Sequence, residues 1–199
     1  MKNKVIGVIL IVVLLVLAVF AIHSALSSRK GDFVDEGDSY NQDIVLVNTN
    51  FPTDIVIFGE DIYFRPAVKY RRIDKITRES LAYDADKFHR LVLVISDLGS
   101  TVQLEEEDYK IIKELLDADM IDYYYFGTSK VEDIIKYQLW EVRTITDGQI
   151  YGFGVGKYYN GKVQFTLFDK SDAEAAAVNK EYLGQIIIFQ IARCIRSNN

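Results

Sequence analysis

Eighteen consecutive residues, Val5 to Ile22, contain no charge and no proline, and every side chain among them is aliphatic or aromatic apart from Gly7. As a helix rising about 1.5 Å per residue, such a run crosses most of a hydrocarbon core roughly 30 Å thick. A domain interior rarely needs a segment that is apolar on all sides, so this one is expected to lie in lipid. Lys2 and Lys4 precede it in the manner of a signal sequence. The core is longer than the roughly 7–15 residues usual for a cleaved signal. Its best small-residue exit, Val19-Phe20-Ala21, is followed by bulky Ile22, and no cysteine follows it for lipoprotein processing. An uncleaved signal anchor is the first expectation and cleavage the second.

The anchor divides the chain into a short basic tail (residues 1–4), the transmembrane segment (5–22), a polar and acidic juxtamembrane linker (23–42) and one globular domain (43–199). Lys2 and Lys4 on one side face Arg29 and Lys30 on the other, and the terminal amine tips the balance toward an inside N-terminus. The expected address is a bacterial-type cell membrane, crossed once, with the C-terminal domain extracytoplasmic. Every Asp and Glu lies at or beyond Asp32, leaving 19 basic against 29 acidic side chains after residue 30, a formal charge of −10. That sign repels nucleic acid and anionic headgroups, so nucleic acid is not an expected partner. Cys194 is the single cysteine, which rules out an intrachain disulfide and reads as a buried small hydrophobe.

Beyond the linker, Ile44 to Val47 is a short aliphatic run ending in the Asn48–Pro52 turn. Asp54 to Phe58, Leu91 to Ile95 and Asp122 to Phe126 are dense apolar or aromatic runs of the kind that form strands buried on both faces. Between them, Ala67 to Tyr83 is expected as a helix opened by Pro66. Glu105 to Asp117 is expected as a second helix, with Ile111, Ile112, Leu115 and Leu116 on one face and acids in its first turn. Thr128 or Ser129 is positioned to cap a third, from about Lys130 to Trp140. The pattern then changes to strands, Val142 to Thr146, Ile150 to Val155 and Val163 to Phe168, separated by the hairpin signals Asp147-Gly148 and Asn160-Gly161. Gly152, Gly154 and Gly156 strip one face of the middle strand, as a close-packed neighbour or a bulge would require. A helical tail, capped by Ser171 or Asp172 and firm from Lys180 to Ile195, closes the chain. The expected fold class is α/β: a mainly parallel sheet flanked by helices, with an antiparallel hairpin extension at one edge and α+β as the fallback.

Ligands of open parallel sheets sit beyond the carboxyl ends of the strands. There the chain offers Asp97, Gly99, Ser100 and Thr101 after one strand and Gly127, Thr128, Ser129 and Lys130 after another. Free backbone amides at these turns, with Lys130 as a cation, suit a phosphate, carboxylate or sugar. The same residues serve ordinary strand-to-helix loops, which use Gly for the turn and Ser or Thr for the cap. Neither loop has the spaced glycines of a dinucleotide or phosphate loop. Glu60, Asp61 and Asp97 form a candidate oxygen-ligand set for a divalent cation. His89 is the only histidine in the domain, so paired-histidine metal sites are excluded, and no serine occupies a G-x-S-x-G elbow. Tyr123 to Tyr125 read as alternating sheet faces, and Tyr158-Tyr159 at a hairpin tip either as a protein or glycan contact or as a pair folded back on the sheet.

No catalytic constellation is evident, and no cofactor is implied. The expected function is therefore a membrane-anchored extracytoplasmic binding or interaction domain rather than an enzyme. The alternatives are an envelope enzyme using strand-end carboxylates, with or without a metal, and a structural subunit of a membrane complex.

Overall fold

The computed structural model of the chain describes residues 37–139, 150–157 and 163–196. The chain divides into two compact units, Met1–Ser39 and Tyr40–Asn199. Residues 5–22 lie outside the described residues, and among the described residues no helix is long and apolar enough to cross a membrane.

The second unit is built on six strands: β1 (Thr53–Gly59), β2 (Arg71–Ile73), β3 (Arg90–Ser96), β4 (Ile121–Phe126), β5 (Ile150–Lys157) and β6 (Val163–Asp169). They lie in the order β2-β1-β3-β4-β5-β6. The first four are mutually parallel, and β5 and β6 extend the sheet as an antiparallel pair beyond β4. This is a mixed sheet flanked by helices, an α/β fold. The aliphatic runs dictate its centre. Leu91 through Ile95 of β3 are fully buried, and each such side chain contributes about 1.5–3 kcal/mol by leaving water.

Strand alternation sorts the two faces. Leu91, Leu93, Ile95, Tyr123, Tyr125, Phe153 and Val155 share a core with Tyr109, Ile111, Ile112 and Leu115 of the helix α2 (Glu106–Asp117), which follows the first helix α1 (Gly37–Val45). On the opposite face, Asp122 and Gly156 lie against Cys194 of the last helix, α5 (Tyr182–Arg196), whose Ile186, Ile187, Ile188, Ile191 and Ala192 are buried. The glycines of β5 face that side. A Cβ on Gly154 would stand 2.4 Å from the Tyr124 ring, so the tyrosine occupies the space the glycine leaves. A register irregularity lies between Ile150 and Gly152.

Several local expectations are corrected. No helix forms over residues 67–83. Arg71 instead pairs extended with β1 and forks onto Asp54 through Nε and Nη2 at 2.8–3.1 Å, while Nη1 donates to the Ser80 carbonyl and Nη2 also to that of Ala82. Thr77 and Ser80 exchange side-chain-to-backbone hydrogen bonds at 2.9 and 3.0 Å, satisfying amides that a helix would otherwise claim. The stretch expected as linker up to residue 42 already contains the start of α1, which a five-residue π-helical turn, Leu46–Asn50, continues. Tyr40, Asp43, Ile44 and Val47 are buried at the spacing of one helix face. The helix expected from residue 130 to 140 shrinks to α3 (Asp133–Lys136), preceded by Glu132 without a side-chain cap. The tail is two helices. α4 (Lys170–Val178) is capped by Asp169, which accepts from the Ser171 amide at 2.7 Å, and α5 follows separately.

Residues 142–146, the two hairpin turns and Tyr158-Tyr159 lie outside the described residues. Both edges of β5 are taken, by β4 and by β6. His89 is exposed, and Cys194 is buried with its thiol pushed up to about 12, by burial first and then by the Asp122 charge.

Candidate functional site

From β1 the chain turns to β2 on one side, and from β3 it proceeds to β4 on the other. The carboxyl ends of β1 and β3 therefore flank the point where connections diverge, which is where open α/β sheets place ligands. Two carboxylates dominate the strand ends.

Asp97 follows the last residue of β3 and is fully buried. Its backbone stays in the ladder, donating from its amide to the Phe126 carbonyl at 2.7 Å, while its own carbonyl accepts from the Ser100 amide at 3.0 Å. One carboxylate oxygen accepts from the Val102 amide at 2.8 Å. The other accepts from the Tyr125 hydroxyl at 2.8 Å and from Ser129 Oγ at 2.5 Å. Lys130 Nζ stands 3.6 Å from that oxygen and donates to Ser129 Oγ at 3.2 Å. Burial alone would raise the pKa of this carboxyl. The hydrogen bonds from Ser129, Val102 and Tyr125 and the Lys130 charge outweigh it and hold the group below the usual carboxylate range. Burial also pushes the Tyr125 phenol up, so it remains a donor. Gly127 has φ +149, and a Cβ there would meet the Asp97 carbonyl at 2.6 Å and the Tyr125 hydroxyl at 2.7 Å.

Glu60, just past β1, forms the second cluster. Its amide donates to the Ser96 carbonyl at 2.8 Å. One of its carboxylate oxygens accepts from the Gly99 amide at 2.7 Å and from Thr101 Oγ1 at 3.1 Å. The hydroxyl and amide expected to hold a ligand anion thus hold the protein's own carboxylate.

The structure brings together Asp97, Ser129 and Lys130 in one network and Glu60, Gly99 and Thr101 in another. Ser100 and Thr128 are exposed, and Ser100 sits at φ 55. Asp61 is turned outward and pairs with Arg72, which also donates to the Gly59 carbonyl at 2.5 Å. The proposed cation ligands Glu60, Asp61 and Asp97 therefore point to separate partners. Among the described residues no three His, Cys, Asp or Glu side chains are grouped to hold a metal ion.

Tyr125 belongs to a strand and not to a strand-end loop, so the loop residues alone do not point to it. The pairing of Ile95 with Tyr125 puts the tyrosine on the face toward which Asp97 points, so the two-residue period contains that signal. The arrangement braces the two loops. A carboxylate held ionised by three donors is a poor general base, and Ser129 directs its proton to that carboxylate.

The chain matches no family model, no curated protein and no solved structure.

Proposed function

We propose that this chain is a single-pass membrane protein whose α/β domain works outside a bacterial-type cytoplasmic membrane as a binding or interaction module. One observation carries the reading: at the crevice where an α/β enzyme would receive substrate, both strand-end carboxylates are engaged by the domain's own donors. Asp97 is engaged by Val102, Tyr125 and Ser129, and Glu60 by Gly99 and Thr101. Outside it, Leu98, Tyr63 and Tyr70 each expose more than two-fifths of their surface, the apolar and aromatic kind of contact that protein partners use. The tether rests on residues 5–22 of the sequence.

Fractionation combined with protease treatment of intact cells and spheroplasts tests this. The full-length chain should sediment with membranes, leave them only in detergent, and be cut in spheroplasts at residues of the domain. A photo-crosslinking residue at position 98 in the same membranes should give a discrete protein adduct. Recovery of the unprocessed chain as a soluble monomer without detergent overturns the tether, and hydrolytic turnover abolished by Asp97→Asn overturns the interaction reading.

A further inference from the structure

We infer that Glu60 is an exchangeable occupant of a carboxylate-accepting site formed by the Gly99 amide and the Thr101 hydroxyl, and that a carboxylate borne by a partner takes its place. The inference deepens the interaction reading by naming the chemistry of the contact. The geometry of recognition is already present: two donors meet one carboxylate oxygen at 2.7 and 3.1 Å, and they do so at the point where the strand connections diverge. A Cβ on Gly99 would stand 2.7 Å from that same oxygen, so the loop presents bare backbone where the carboxylate approaches. Gly99, Ser100 and Thr101 are all exposed, so a ligand reaches the donors without opening the core. Ser100 is held at φ 55, a conformation rare for a residue with a side chain, and Leu98 beside it is half exposed.

Asp97, by contrast, is fully buried and engaged from three directions. It fixes the loop, while Glu60 reaches the loop's outer surface from another strand. Exchange leaves one carboxylate on the two donors and releases Glu60 into water, so hydrogen bonds are conserved. What opposes it is the chain connection that keeps Glu60 beside the donors, together with the added negative charge on a chain of formal charge −6, a repulsion that salt screens.

The test uses the full chain in detergent, labelled with ¹⁵N-glycine, and follows the Gly99 amide. The probes are sodium acetate against sodium chloride, and the blocked peptide acetyl-Leu-Glu-amide against acetyl-Leu-Gln-amide. In Glu60→Ala, acetate and the Glu peptide should shift the Gly99 resonance saturably and the Gln peptide should not. The wild type should need at least tenfold more of either, and Thr101→Val in the Glu60→Ala background should remove the response. A Glu peptide tenfold stronger than acetate identifies a partner's acidic side chain as the source, and equal strength identifies a small free carboxylate. Glu60→Met, which keeps the side-chain volume and carries no oxygen acceptor, replaces Glu60→Ala if the latter loses its dispersed spectrum. A folded Glu60 variant whose Gly99 amide ignores both carboxylates at salt-matched concentrations overturns the inference. The readout does not involve the membrane, so it stands or falls separately from the tether.

Discussion

Asp97 is the residue on which two loops depend. Replacing it with Ala leaves the Val102 amide and the Tyr125 and Ser129 hydroxyls without their acceptor, at a cost of about 3 kcal/mol. Asp97→Asn should cost less, because the two hydroxyls can rotate to accept from an amide nitrogen. The folded protein holds this carboxyl below its ordinary range, so it binds its proton more weakly than the unfolded chain does. Its stabilising contribution is therefore complete above about pH 4, the unfolded value, and is lost as pH falls through the depressed folded value. Urea midpoints measured from pH 2 to 7 should fall at the acid end in the wild type and be flatter there in Asp97→Asn. Asp43 has the opposite sign. Burial raises it despite the Arg196 ion pair, so its ionised form is disfavoured in the folded state and Asp43→Asn should lose little near neutral pH. The strand-end loops were legible as a place but not as a state. Glycine and hydroxyl residues beside Asp97 mark a turn with free donors, yet nothing local in sequence says that Glu60, from a different strand, fills them.

At the scale of elements, legibility followed burial. The β1, β3 and β4 runs are apolar because both faces are covered, and α2 keeps its 3.6-residue period because one face packs on them. Elements governed by polar bonds were missed. The Arg71 fork to Asp54 and the Thr77–Ser80 exchange fix residues 71–82 in turns and a short strand, although apolar spacing there imitates a helix. The face formed by Tyr40, Asp43, Ile44 and Val47 was diluted by surrounding polar residues, though Arg65 caps the Tyr40 ring at 4.7 Å. The triple glycine of β5 makes a sharper case. Gly154→Ala forces the Tyr124 ring off its seat and should destabilise the domain by about 1–3 kcal/mol in thermal or urea unfolding. Shrinking the ring with Tyr124→Leu in the Gly154→Ala background should recover part of the loss, a coupling that a purely local backbone effect of alanine would not produce.

Across the whole domain, α5 joins sequence ends. Its Arg196 pairs with Asp43, and its Ile191, Cys194 and Ile195 line a cavity of about 10 Å³ with Phe51, Thr53, His89, Arg90 and Asp122. In that wall Asp122 accepts two hydrogen bonds from Arg90, both at 2.5 Å. Cys194, protonated and covered, should resist iodoacetamide at pH 8 in the native chain and react once urea unfolds it. Its labelling rate should track the global unfolding free energy, and rapid labelling without denaturant would show that α5 detaches on its own.

Because the helix that packs against Asp122 and Gly156 follows all six strands in the chain, the ribosome must pass residue 196 before that side of the sheet is shielded. Until residue 196 emerges, a nascent chain already holding β1 through β6 still presents bare aliphatic surface to chaperones and proteases. A premature stop just upstream of Tyr182 should thus yield a product degraded in the cell, not a slightly shortened domain.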